Sequence, residues 1–467
     1  MPQLLNRDLC QASMISTLIV LVVVLLHTSE AAFCNGSPAD GDFTNDYPVI
    51  DGEMKMIKSV KNGVLFETGP DNAKFDVVHV FGSPYDMGYA QGKLVGDKIR
   101  QFVHGTFAYI LNSAIDETKF PHIPPAMKKM ILDKGVNAAL EWNAQVTAEF
   151  TPQSYFDELK GIADAVEGVD YQLLLNLQMF PEITKASCSF FGSWGSASAD
   201  GVTYHMRSLD YDTDGTFPQF PQVTVYHPEG PSDSKAGDAQ NAFASVGWPA
   251  SIGTLTGMNE KQMSINEIGV SFADDSFEQG TDDTPPEKVK GKPWMFVVRD
   301  ILQHTSTLDE GVQSVQDADR TCNLIVGVGD GKTGAEMVKG IQYSGYVANP
   351  YWDVNQLPVN ETWHPKIDNM VYNGMDWDCP GYTQKLGEYL TKYHGSLKAS
   401  DVIGNILPSV QTGDLHIALY DLTHSYMWLS FARRPEGADQ NEPQMAYDRQ
   451  FTKLDMTAVF GVPKPSS

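Results

Sequence analysis

Cysteine is scarce in this chain: five occur in 467 residues. Cys10 falls inside an apolar leader, so Cys34, Cys188, Cys322 and Cys379 remain, too few for a disulfide scaffold. Positive charge is short as well, with 33 Lys and Arg against 59 Asp and Glu and a formal charge of −26. That balance argues against nucleic acid or an anionic membrane surface as partner. It suits an acidic compartment, where protonated carboxylates ease self-repulsion. Motifs for metal and serine chemistry are missing too. No His-Glu-x-x-His, Cys-x-x-Cys or Gly-x-Ser-x-Gly occurs, so no zinc centre or serine-hydrolase elbow is expected and no cofactor is implied. Internal repeats and long low-complexity tracts are absent.

What is present begins with an address. Residues 15–26 form an almost unbroken apolar run, followed by Ser29-Glu30-Ala31, a small-x-small cleavage pattern. The run is shorter than the ~20 residues that span a bilayer, so residues 1–31 read as a signal peptide. Arg7 is offset by Asp8, which leaves an uncleaved signal anchor as the alternative. Asn35-Gly36-Ser37 and Asn360-Glu361-Thr362 are glycosylation sequons, making Asn35 and Asn360 acceptors on the secretory path. A secreted or lysosomal protein is expected. If Cys188 is a free nucleophile, one of the other three cysteines is left over, and Cys34 with Cys379 is then the preferred disulfide, with Cys322 in an apolar strand.

An apolar share of 42% supports a sizeable core in one large domain or two or three smaller ones. Texture divides the chain near residue 188. Before it the pattern predicts helices over 84–107, with Ser83 as N-cap and Pro84 at the first position, and over 124–150, 154–166 and 170–179. After it, strands are expected at 202–209, 223–227, 244–247, 263–272 and 324–328, and helices at 294–304, 308–318 and 383–392. A hairpin is expected over 415–420 and 426–431, and the tail after Arg434 reads as surface drape. The change at 188 marks either a domain boundary or a processing site.

Chemistry concentrates there. The Asp200-Gly201 pair between two short runs predicts a hairpin that folds Arg207-Ser208-Leu209-Asp210 back beside Cys188. A guanidinium beside a thiol favours thiolate, and a carboxylate holds a proton carrier in place. Singly, each residue has a structural reading: an inert buried cysteine, a strand-end ion pair, turn-capping asparagines.

Cys188, Arg207-Ser208-Leu209-Asp210, Gly257-Met258-Asn259-Glu260-Lys261 and Arg320-Thr321-Cys322-Asn323-Leu324-Ile325 occur in an order that resembles the cysteine N-terminal-nucleophile amidases. That group includes acid ceramidase, bile-salt and penicillin V hydrolases and isopenicillin N acyltransferase. The segment from Phe81 to Gly92 resembles a stretch upstream of the nucleophile in acyltransferase-like members. Two departures are visible: Gln262-Met263 stands where a glycine-hydrophobic pair is usual, and the cysteine-to-arginine spacing is longer than in bile-salt hydrolases.

The resemblance implies an α+β fold, a four-layer αββα sandwich with a helical N-terminal region wrapped around it. It implies self-cleavage between Ser187 and Cys188, giving an α chain of 32–187 and a β chain of 188–467 that remain partners. Cys188 would then be nucleophile, its own α-amino group (pKa about 8) serving as base. Asp210 would orient that amino group, Arg207 would lie beside the thiolate and the scissile carbonyl, and Asn259 and Asn323 would donate to the oxyanion. The implied substrate is an N-acyl lipid such as ceramide, with a lipid-presenting protein or membrane surface as a further partner. Phe190, Phe191 and Trp194 line an acyl pocket or belong to the core. Acyl transfer to an amine, a phospholipase B-like esterase and a non-catalytic secreted binding protein are the alternatives. A papain-like site would need His205 or His416 at the thiol.

Overall fold

The computed structural model describes residues 36–113, 131–184, 187–213, 215–238, 240–269, 289–332, 334, 337–357, 360–375, 380–433 and 444–466. The signal segment, Cys34, Asn35 and Cys379 lie outside them. Two sheets dominate. The seven-stranded sheet has the order β1 (Ile50–Asp51), β17 (Thr452–Asp455), β16 (Tyr426–Phe431), β15 (His416–Asp421), β6 (Tyr204–Asp210), β5 (Ser187–Ser193), β14 (Met370–Asn373). The ten-stranded sheet has the order β13 (Ala348–Tyr351), β12 (Val338–Ser344), β11 (Asn323–Asp330), β10 (Met263–Gly269), β9 (Gly257–Asn259), β8 (Phe243–Gly247), β7 (Gln222–Pro228), β4 (Phe75–Gly82), β3 (Gly63–Thr68), β2 (Lys55–Val60).

The sheets stack face to face. Gly192 on β5 lies against Val338 on β12, where a Cβ would collide, and His205 on β6 bonds Ser264 and Asn266 on β10, both at 2.7 Å. Helices α1 (Pro84–Ser113), α2 (Val136–Thr147), α3 (Gln153–Ala165), α4 (Tyr171–Ile183), α5 (Trp294–His304) and α6 (Leu308–Asp317) pack in one apolar cluster with the ten-stranded sheet. Helix α7 (Gly381–Tyr393) and the helical stretch 399–410 pack with Phe191, Met206, Tyr372 and Ile417 of the other sheet. The layers are therefore α, β, β, α, as the motifs imply.

Local rules explain why α1 starts where it does. Ser83 Oγ accepts from the Asp86 amide at 3.2 Å, the N-cap bond that a helix's unpaired first turn favours. The region before 188 is not only helical, however. It supplies β1 to one sheet and β2, β3 and β4 to the other, and β4 pairs in parallel with β7 from beyond the proposed junction. The described residues before 188 thus supply strands to both sheets as well as the helices α1–α4 that cover one of them. The tail also differs from the expected drape, since β17 pairs with both β16 and β1.

Candidate active site

Cys188 is the second residue of β5, whose antiparallel register with β6 sets Cys188 opposite Leu209, Phe190 opposite Arg207 and Ser187 opposite Asp210. The expected hairpin forms, with Asp200 and Gly201 both at positive φ (58° and 71°), inside a longer connection of two short 3₁₀ turns. Directly opposed residues share a face. Cys188, Phe190, Arg207 and Leu209 therefore face the gap between the sheets, while Ser189, Phe191, Ser208 and Asp210 face the other way.

Arg207 is fully buried. One guanidinium nitrogen, Nη2, lies 3.5 Å from Cys188 Sγ and 3.4 Å from Glu267 Oε2. The other, Nη1, donates to His416 Nε2 at 2.9 Å, and the Thr256 hydroxyl meets that same nitrogen at 3.0 Å. An arginine has only donors, so His416 Nε2 is the acceptor and the ring is neutral. Burial and the Arg207 charge hold His416 well below its usual pKa. His205, wedged between Ser264 and Asn266, is pushed down to about 3 by burial. Neither histidine is bonded to the thiol, so the papain-like arrangement is not built.

Burial pushes the Cys188 thiol well above its ordinary value. Arg207 pulls it back, and Glu267 and Asp210 push it further up.

Asp210 is bonded on all sides. Its Oδ1 accepts from the Gly413 amide at 2.5 Å and the Asp414 amide at 3.1 Å, and Oδ2 lies 2.7 Å from the Thr412 hydroxyl. Burial, and then the nearby Asp414 carboxylate, raise Asp210 well above the usual carboxylate range; Asp414 is raised by burial too. The Asp210 side chain is on the face opposite the thiol, yet it stands across the ladder from Ser187, beside the peptide bond that the motifs mark for cutting.

The two asparagines diverge. Asn323, at the start of β11, is buried, and its Nδ2 has no hydrogen-bond partner among the described residues. Such an atom costs free energy unless a ligand atom meets it. Strand alternation puts Asn323 on the same face as Gly327, whose amide bonds Asn266 next to His205, so it faces the seven-stranded sheet. Asn259 does not fit the expected oxyanion role. Both of its amide hydrogens are engaged, with the Leu302 and Thr305 carbonyls at 2.8 and 3.0 Å. Its Oδ1 accepts from the Lys261 and Met263 amides, both at 2.9 Å. It ties the C-terminus of α5 to the β9–β10 turn.

Phe190 and Phe191 are fully buried and Trp194 is 2% exposed, so all three are core. Phe191 belongs to the outer cluster under α7, on the far side of the sheet from Cys188. A recess of about 80 Å³ lies elsewhere, and Phe102, Leu177, Phe180, Phe217, Trp248 and Trp294 line it. Leu209, the partner of Cys188 in the ladder, and Glu267 both border it. Most of its aromatic wall comes from segments that carry no nucleophile motif, which is why the sequence did not point to it. Glu267 was missed as well; its one signal is a carboxylate inside an otherwise buried strand. Asn360 is half-buried, its Oδ1 accepting from the Thr362 amide at 2.9 Å. Among the described residues, no group of three or more His, Cys, Asp and Glu side chains is arranged to hold a metal ion.

No protein-family model matches the chain. Among solved structures it is similar to a Caenorhabditis elegans N-acylethanolamine-hydrolyzing acid amidase ortholog, at 15% identity and TM-score 0.35, covering 55% of this chain and 99% of that one. It is also similar to penicillin V acylase from Agrobacterium tumefaciens, at 11% identity and TM-score 0.34, covering 58% and 96%. Among curated proteins it is 30% identical over 459 residues to protein dcd1A of Dictyostelium discoideum, covering 96% of this chain and 98% of dcd1A. Protein dcd1B of the same organism is 30% identical over 432 residues, covering 90% and 81%. By that extended likeness, the chain belongs to the family of the Dictyostelium proteins dcd1A and dcd1B.

Proposed function

We propose that this chain is an N-terminal-nucleophile hydrolase that cuts itself between Ser187 and Cys188 and then cleaves the amide of an N-acyl lipid on the secretory path. The observation that carries the reading is the buried Arg207 guanidinium at 3.5 Å from the Cys188 thiol, with Asp210 opposite Ser187. A buried cation has no structural need of a thiol when a carboxylate, Glu267, already neutralises it.

In the first reaction Cys188 Sγ attacks the Ser187 carbonyl carbon, and the bond from that carbon to the Cys188 nitrogen breaks. The thiol proton ends on the departing nitrogen. Water then hydrolyses the Ser187 thioester, releasing a carboxylate and restoring the thiol. Asp210, whose raised pKa keeps a proton available near neutrality, is placed to relay that proton to the nitrogen, regaining one in turn, and later to orient the new neutral α-amino group. In the second reaction the α-amino group takes the thiol proton and the thiolate attacks the substrate carbonyl. Asn323 Nδ2 donates to the oxyanion, and the amine leaves with the proton. Water clears the acyl thioester. The apolar lining of the recess beside Leu209 and Glu267 is of the kind that a hydrocarbon chain packs against.

The test is N-terminal sequencing of the purified mature protein beside a Cys188→Ala control, at acidic and neutral pH, followed by assay on ceramide and on a lysophospholipid. Fragments beginning at Cys188 that vanish in the control are expected, with ceramide turned over and the ester spared. A single uncut chain at both pH values would sink the self-cleavage. A mass shift at Asn360 on deglycosylation checks the secretory route.

A further inference from the structure

The start of β11 is a strained place. Cys322 has φ of +60°, a left-handed conformation that a side-chain-bearing residue adopts only when its surroundings hold it there. Asn323 follows at once, so the aim of its unpartnered Nδ2 depends on that turn. What holds the turn comes from the other side of the proposed cut. Glu182, in the last turn of α4 and 4% exposed, accepts from the Thr321 hydroxyl at 3.1 Å on Oε1 and from the Cys322 thiol at 3.3 Å on Oε2. Its Oε1 also accepts from the Trp294 amide, the first residue of α5, at 2.8 Å. A carboxylate there is favoured by the helix dipole as well as by the hydrogen bond. One side chain thus fixes both the strained turn and the helix whose Trp294 lines the recess.

We propose that Glu182 is a positioning residue for the oxyanion donor Asn323, contributed by the N-terminal piece to a reaction performed by the C-terminal piece. The inference rests on the proposed function, and it explains why the pieces must remain together after cutting. Release of the N-terminal piece would withdraw Glu182 and let the 321–323 turn relax toward an unstrained conformation, moving Asn323 out of aim.

The test is a double-mutant cycle on the full-length, self-processed protein. Glu182→Gln keeps the shape and removes the charge. It should lower kcat about tenfold with KM unchanged, a fraction of the ~10²–10³ that loss of a whole oxyanion donor costs. In an Asn323→Ala background the same change should cost nothing further, because its route of action is gone. Equal losses in both backgrounds, or no loss in either, overturn the proposal. Thr321→Val, which removes one bond from the strap, gives a smaller loss with the same dependence on Asn323 and serves if Glu182→Gln does not fold. Amide hydrogen exchange at residues 321–323, read without turnover, should quicken in Glu182→Gln. Unchanged exchange there counts against the positioning role, whereas a wild-type protein that neither cuts nor hydrolyses counts against the proposed function.

Discussion

Asn259 and Asn323 show how little a residue's motif says about its task until its hydrogens are accounted for. Both are fully buried amides on the ten-stranded sheet. One has spent its donors on the end of α5; the other has an Nδ2 still to be met. Asn323→Ala should therefore lower kcat by ~10²–10³ with little change in thermal stability. Asn259→Ala should do the reverse: it leaves buried carbonyls and amides unmet, at about 1–3 kcal/mol each, and lowers stability ahead of kcat. Paired kinetics and denaturant melts check this, and a stability loss in both variants alike speaks against it. Asp210 and Asp414 carry a second residue-level consequence. Their pKa values are raised in the folded chain by burial and, at Asp210, by the neighbouring charge, so the folded state binds their protons more tightly than the unfolded state does. The resulting stabilisation is complete below the ordinary carboxylate range and is lost as pH rises through the raised values. In the uncut Cys188→Ala protein, Asp414→Asn should raise Tm at pH 8, where both carboxylates are otherwise forced to ionise, and leave Tm at pH 4 unchanged. An equal shift at both pH values would show that charge is not the cause.

Elements meet at two glycines where α1 and α3 cross. A Cβ on Gly88 would meet the Glu158 carbonyl oxygen, and one on Gly161 would meet the Tyr85 carbonyl oxygen. Neither obstacle is a flexible side-chain tip. Gly161→Ala should part the helices and cost about 1–3 kcal/mol, read as a lower urea midpoint at unchanged m-value. An unaltered midpoint would mean that the helices slide freely. This crossing also bears on what a reader of the sequence is able to see. Helices α1 and α6 each start at a side-chain cap, Ser83 before α1 and Thr307 before α6, a local signal that a sequence displays. Strand β4 displays no such signal, because all eight of its residues are buried. A strand covered on both faces has no alternation to read, and Val77, Val78 and Val80 pass as generic core. The same burial hides Glu267 in β10. Cys188, Arg207 and Asp210 were legible because a hairpin keeps them close in sequence as well as in space. The recess was not, because its aromatic wall is gathered from α1, α4, α5 and two loops that only the tertiary fold brings together.

For the whole molecule, the proposed cut at 187–188 would leave two pieces that only non-covalent contacts hold together. Strand β4 forms a continuous parallel ladder with β7, from Asp76 opposite Gln222 to Gly82 opposite Pro228, so the two pieces of the proposed cut would share a sheet. Beneath that ladder lies a buried set of charges spanning the same divide. Glu158 Oε2 meets Arg299 Nη2 at 2.8 Å, and the Tyr155 hydroxyl donates to Asp300 Oδ1 at 2.6 Å. The Arg299 guanidinium also stacks 4.5 Å from the Tyr226 ring centre. A buried ion pair gains little over well-packed apolar groups, but removing one partner strands the other, at about 3–5 kcal/mol. Arg299→Ala should thus loosen the pieces in the processed protein, with the N-terminal piece released at a urea concentration where the wild type stays whole on size exclusion. The double replacement Glu158→Leu with Arg299→Met should restore retention, since no charge is then left unpaired. If Arg299→Ala and the double variant release the piece alike, the side chains hold the pieces by fit rather than by the balance of charge; if both retain it, the ladder carries the association. If the double variant retains the piece while Arg299→Ala loses it, burial of an unpaired Glu158 is the destabilising event. Loss of the N-terminal piece should then silence the enzyme through Glu182 as well as through the missing wall of the recess.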